Sequence, residues 1–126
     1  MGYEELPRVS LANLPTPLEE AKNLRKVIGG PRLFLKRDDL NGLGCGGNKL
    51  RKLEFLMGEA LRQGADTVVT SGAMQTNHGR LTAAAAAKLG LECVLVMTEE
   101  DCHYYEGNRI LQELFGARQV FAQVDY

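Results

Sequence analysis

Long apolar runs are missing from this chain. Stretches such as "VVTSGA" and "AAAAAKLGL" fall far short of the roughly 20 residues that cross a bilayer, and the N-terminus "MGYEELPRVS" has no apolar core preceded by basic residues. A membrane partner is not expected, and a cytoplasmic protein is. Gly2 follows Met1, but Leu6 stands where N-myristoylation requires Ser or Thr. Cysteine is scarce too: Cys45, Cys93 and Cys102 form an odd number at wide spacing with no CxxC pair, which argues against a disulfide framework and against a zinc site. Cys93 lies in an apolar segment and is expected in the core. Cys102 and His103, side by side in "DCHYY", read as a loop or helix start, because adjacent residues rarely aim at one metal. Neither sign of charge dominates: fifteen Lys+Arg meet sixteen Asp+Glu, for a formal charge of −1, and no basic tract interleaved with aromatics marks a nucleic-acid surface.

What is present suits one ordinary domain. A chain of 126 residues can bury a core, yet is short for an enzyme with a large cofactor. After an extended start holding Pro7, Pro15 and Pro17, "PLEEAKNLRKVIGG" places Leu18, Ala21, Leu24 and Val27 or Ile28 on one face and ends in glycines, which predicts a helix. "RLFLKRDDL" predicts a strand running into a polar loop over 38–47, and a helix from about Asn48 to Arg62 should bury Leu50, Leu53, Met57, Ala60 and Leu61. Beyond it the rhythm is regular: "DTVVTS" strand, "TNHGRLTAAAAAKLG" helix, "ECVLVM" strand, "GNRILQELFG" helix, "RQVFAQV" strand. Such alternation predicts an α/β fold, an open twisted parallel sheet with flanking helices built from βαβ crossovers. No repeat or flexible linker interrupts it.

Ligands in open sheets of this kind bind where loops leave the carboxyl ends of strands and enter helix N-termini. Two such places stand out. In "GCGGNKLRKLEF", Lys49, Arg51 and Lys52 crowd a helix start, where the peptide dipoles favour acidic side chains instead. Solvated surface charge, a bound anion, or a lysine destabilised as a cation so that its amine can react would each account for this. Reaching half-free amine at neutral pH from an ordinary value near 10.4 takes about 3 pH units, or roughly 4–5 kcal/mol; a helix mouth and Lys52 one turn away push in that direction. Gly46 and Gly47 permit positive φ and close approach of a ligand. In the second place, "SGAMQTNHGR", Thr76, Asn77 and His78 open a helix. Thr76 or Asn77 as an ordinary cap, worth about 1 kcal/mol, is compatible with an anion bound at the same N–H groups. His78 is either a residue titrating near neutrality or an ordinary hydrogen-bonding side chain.

"GGNKLRKLEF" together with "GAMQTNHGRLTAAAAAKLGL" resembles the pyridoxal-phosphate-dependent family that contains D-cysteine desulfhydrase and 1-aminocyclopropane-1-carboxylate deaminase, of the tryptophan-synthase-β fold type. The likeness extends from "LPRVSLANLPTPLEEAKNL" through "LFLKRDDLNG" to "GNRILQELFGA", nearly the whole chain. It implies that Lys49 forms the Schiff base with pyridoxal 5'-phosphate and Lys52 approaches the cofactor phosphate. It also implies that Asn77 touches the pyridoxal 3-hydroxyl, that Thr76 lies by the substrate carboxylate in a proton-transfer or nucleophilic role, and that Thr76, Asn77 and His78 contact substrate. Thr76 departs from the serine usual in the family, and Cys45, just before GGNK, is a second departure. The implied activity is that of a lyase or deaminase on a small amino acid, foremost D-cysteine to pyruvate, hydrogen sulfide and ammonia. 1-Aminocyclopropane-1-carboxylate deaminase and cysteate sulfo-lyase are alternatives; His78 after Asn77 favours the desulfhydrase side over the deaminase branch, where Gln is typical.

Family members continue well past Tyr126, into a glycine- and threonine-rich phosphate loop, the partner of the pyridine nitrogen and active-site tyrosines. The resemblance therefore implies a fragment of a two-domain enzyme. Residues 1–50 would supply an N-terminal arm, a helix and a strand of the cofactor domain with the Schiff-base loop, and residues 51–126 the start of the smaller α/β domain. A homodimer, or association with a C-terminal half, is expected, with weak cofactor binding by the chain alone. The competing expectation is a non-catalytic α/β module that binds a partner through its free sheet edge.

Overall fold

The structure, a computed structural model, describes residues 2–98 and 105–122. Cys102 and His103 lie outside them. Two short strands, β1 (Leu18–Glu20) and β2 (Phe34–Lys36), flank helix α1 (Lys22–Ile28). The long helix α2 (Lys49–Arg62) follows, and then β3 (Thr67–Gly72), α3 (Asn77–Leu89), β4 (Glu92–Met97), α4 (Gly107–Leu114) and β5 (Arg118–Phe121). Strands β3, β4 and β5 are parallel and adjacent in that order, with Val68 opposite Cys93 and Val94 opposite Arg118. Each consecutive pair is joined through a helix, the α/β architecture that the alternating sequence pattern dictates.

The N-terminal segment departs from its periodicity. Leu18–Glu20, expected to begin a helix, instead pairs antiparallel with β2, Glu19 facing Leu35, in a two-stranded sheet separate from the parallel one. Cross-strand ion pairs support it: Arg32 meets Glu20 at 2.9 Å and Arg37 meets Glu19 at 2.8 Å. Pairing with a strand some fifteen residues on is invisible to local periodicity. Helix α1 keeps its terminating Gly29, with φ +71, but its expected inner face is not buried: Leu24, Val27 and Ile28 are all exposed.

Helix α2 follows expectation more closely. Leu50, Leu53 and Met57 are buried at helical spacing, although Ala60 is only half-buried and Leu61 is exposed. With Leu11, Leu81 and Ala85 they form the core between the N-terminal arm, α2 and α3. A second core joins Ala83 and Ala86 of α3 to Cys93, Leu95, Met97 and Ala117. The alanine run thus lets α3 lie close on the sheet. Cys93 is a core residue, as its apolar surroundings required, and burial pushes its thiol up to about 11.

Glu54 is the unexpected member of α2. It is 1% exposed, and its Oε1 accepts N–H bonds from Leu11 (3.0 Å) and Ala12 (2.9 Å), while Arg8 reaches Oε2 at 2.5 Å. One turn on, a Cβ at Gly58 would stand 2.7 Å from the backbone of Pro7 and Arg8. The arm therefore crosses α2 at a gap left by a missing side chain and is latched there by a buried carboxylate.

Candidate functional site

The loop before α2 is pinned by several hydrogen bonds. Gly46 N donates to Leu43 O at 2.9 Å and Gly47 N to Asp38 O at 2.8 Å. The amide of buried Asn41 donates to Gly47 O at 2.7 Å. Gly46, at φ +71, presses so close to the Asp39 carbonyl that a Cβ there would overlap it. Cys45 is exposed and sits at φ +65, the only non-glycine with positive φ among the described residues. A left-handed conformation at a residue with a Cβ costs on the order of 1 kcal/mol. Cys45→Gly should accordingly raise unfolding free energy by about 1 kcal/mol in urea titration; an unchanged or lower midpoint would contradict this account of the loop.

The three cations at the start of α2 have different fates. Arg51 is bound, its guanidinium meeting both oxygens of Asp38 at 2.6 and 2.7 Å and the Thr16 hydroxyl at 3.1 Å. The Arg51 bond, with help from the Thr16 hydroxyl, draws the Asp38 carboxyl down to about 2. Lys49, half-buried, and Lys52, exposed, have no hydrogen-bond or ion-pair partner among the described residues. Asn48 contributes no side-chain cap, and the first turn of α2 carries no acidic residue. The positive charge expected at this helix mouth is thus reduced to two lysines, both without a counter-ion.

The second place adjoins the first. Arg80 of α3 donates to Gly46 O at 2.7 Å, and a Cβ at Gly44 would come within 2.7 Å of Ala84 on the same helix. The lysine loop is therefore packed on α3 and tied to it. Thr76 is the N-cap of α3, its hydroxyl accepting from Gly79 N at 3.4 Å, so the capping role is filled. Asn77 is exposed, and its side chain has no partner among the described residues. His78 is half-buried, with Nε2 3.1 Å from Thr70 Oγ1. Burial first, then the charges of Lys52 and Lys49, lower its proton affinity.

The turn leading into α3 is fixed from behind by residues that pattern reading passed over. Gln112 of α4 is fully buried and donates from Nε2 to Met74 O (3.2 Å) and Thr76 O (3.4 Å), while its Oε1 accepts from Gln119 at 3.1 Å. Asn108 donates from its backbone to Gln75 Oε1 and from its side chain to Gln75 O. Nothing in the sequence of α4 marks Gln112 apart from its other polar residues, Asn108, Arg109 and Glu113.

The donor set fits a phosphorylated aldehyde: an unpaired amine and a second unpaired cation beside it, a glycine loop that admits close approach, and a free amide at the neighbouring helix start. Comparison with known proteins agrees. A family described as pyridoxal-phosphate dependent enzyme matches residues 9–126. A D-cysteine desulfhydrase from Serratia proteamaculans is 50% identical over 119 residues, covering 90% of this chain and 36% of the relative. Another from Yersinia enterocolitica is 50% identical over 121 residues, covering 92% and 36%. A solved structure described as an ACC deaminase homologue superposes with a TM-score of 0.88 at 41% identity, covering 98% of this chain and 37% of that one. The chain spans little more than a third of the length of these relatives. On the match over residues 9–126, it belongs to the pyridoxal-phosphate-dependent enzyme family.

Proposed function

We propose that this chain carries the lysine of a pyridoxal-phosphate-dependent lyase acting on a small amino acid, with D-cysteine the favoured substrate and pyruvate, hydrogen sulfide and ammonia the products. The observation that supports it most is the pair of cations, Lys49 and Lys52, without a counter-ion among the described residues, at the start of α2 just after a glycine loop that Arg80 ties to the helix bearing Asn77 and His78. Lys49 would hold the cofactor covalently through its aldehyde, Lys52 would face the phosphate dianion, and Asn77 would meet the ring hydroxyl. When bound, the cofactor supplies an electron sink for negative charge at the substrate α-carbon. Lys49 would carry the α-proton, and Thr76 and His78 would flank the substrate. The desulfhydrases at 50% identity favour this substrate class. The deaminase-like structural neighbour keeps aminocyclopropane carboxylate as a second candidate.

In this reading residues 1–50 belong to the cofactor domain and residues 51–126 begin the smaller domain. The enzyme acts in the cytoplasm as a homodimer or joined to a C-terminal half. Among the described residues no helix is long and apolar enough to cross a membrane.

The test is direct attachment. Purified chain is mixed with pyridoxal phosphate, reduced with borohydride, digested and mapped by mass. One reduced cofactor on the Lys49 peptide is the expected result; label spread over the surface lysines would overturn the assignment. Assays of D-cysteine, L-cysteine, cysteate and aminocyclopropane carboxylate, read by 2-oxo acid release, then decide the substrate.

A further inference from the structure

Thr70 lies in β3 and His78 is the second residue of α3, their side chains joined by the 3.1 Å contact between Oγ1 and Nε2. The other ring nitrogen, Nδ1, is enclosed and has no hydrogen-bond partner among the described residues. Around the ring the cleft is formed by Leu53, Leu56, Met57, Val69 and Thr82. The charges that act on it are those of Lys52 and Lys49, both from α2. Burial, two ammonium groups and the positive end of the α3 dipole all oppose a second proton on the ring.

A neutral imidazole has a single N–H, and its place follows from where it can be used. On Nδ1 it would be an enclosed donor with no acceptor, a situation that folded proteins rarely tolerate. On Nε2 it is donated to Thr70 Oγ1, and Nδ1 keeps only a lone pair. We propose that Thr70 is a positioning residue: it fixes the His78 ring as the Nε2–H tautomer, leaving on the enclosed Nδ1 only a lone pair. The tautomer does not rest on the proposed function, and its test needs no cofactor.

The test is a long-range proton–nitrogen correlation spectrum of the 15N-labelled full chain. The sequence has two histidines, so a His103→Gln variant assigns the signals of His78. Wild type should show protonated Nε2 and unprotonated Nδ1. Thr70→Val should lose this single pattern and show a mixture of tautomers, whereas Thr70→Ser should keep it. Protonated Nδ1 in the wild type overturns the proposal whatever the variants do, and so does a Thr70→Val spectrum identical to wild type. Failure of pyridoxal phosphate to attach to Lys49 would refute the proposed function and leave this result standing.

Discussion

Lys49→Ala should abolish the borohydride-fixed cofactor altogether, and Lys49→Arg should do the same. Arginine keeps the positive charge at the start of α2 but has no amine to condense with an aldehyde, so the pair separates bonding from electrostatics. Lys52→Ala should leave the label on Lys49 while weakening cofactor binding. Losing one charge-assisted contact to a phosphate is worth about 1.5–3 kcal/mol, roughly a tenfold to hundredfold rise in dissociation constant. The asymmetry is the informative part. Arg51, between the two, is engaged by Asp38 and Thr16 and is not available to a ligand without breaking that arrangement. Label retained at full level in Lys49→Ala, mapped to Lys52 or elsewhere, would remove Lys49 from its proposed role.

Glu54→Ala should be the most damaging change to stability away from the site. It strips the acceptor from the N–H groups of Leu11 and Ala12 and leaves Arg8 unpaired against α2. An unmet buried donor costs about 1–3 kcal/mol. Adding the second N–H and the lost carboxylate, and discounting Arg8 because it is half exposed, gives roughly 2–4 kcal/mol. Denaturant unfolding would measure it, and a loss below 1 kcal/mol would show that the arm is not latched by this residue. A pH dependence accompanies it. Burial alone would raise the Glu54 carboxyl, but the N–H groups of Ala12 and Leu11 and the Arg8 guanidinium outweigh that and leave it lowered. The contribution of such a group is complete above its unfolded value, near 4.5, and disappears as pH falls through the lower folded value. Wild type should therefore lose stability on acidification below that point more steeply than Glu54→Gln, which has no carboxyl to protonate.

Residues whose partners are near in sequence were readable in advance. The i, i+3, i+7 spacing of Leu50, Leu53 and Met57 announced the buried face of α2, and Thr76 announced the start of α3. The two candidate places were likewise visible as loop-to-helix junctions. What could not be read was every link made by a distant partner. Glu54 carries no mark in its own helix that Leu11 and Ala12 will need it. Leu18 and Glu20 fit a helix until Phe34–Lys36 offers a pairing edge. Arg80 and Gln112 look like ordinary helix residues, yet one ties the lysine loop to α3 and the other fixes the turn before Asn77. The positions of the two loop-to-helix junctions were legible; the scaffolding that holds them was not.

Gly46 sets a boundary on how this site can be altered. Because its Cα faces the Asp39 carbonyl with no room for another atom, and its own carbonyl is held by Arg80, diversification by side-chain replacement has to pass around that position. Laboratory selection over 44–48 should return glycine at 46 in nearly every surviving clone, and new substrate preferences will have to be sought at other positions, such as 76–78.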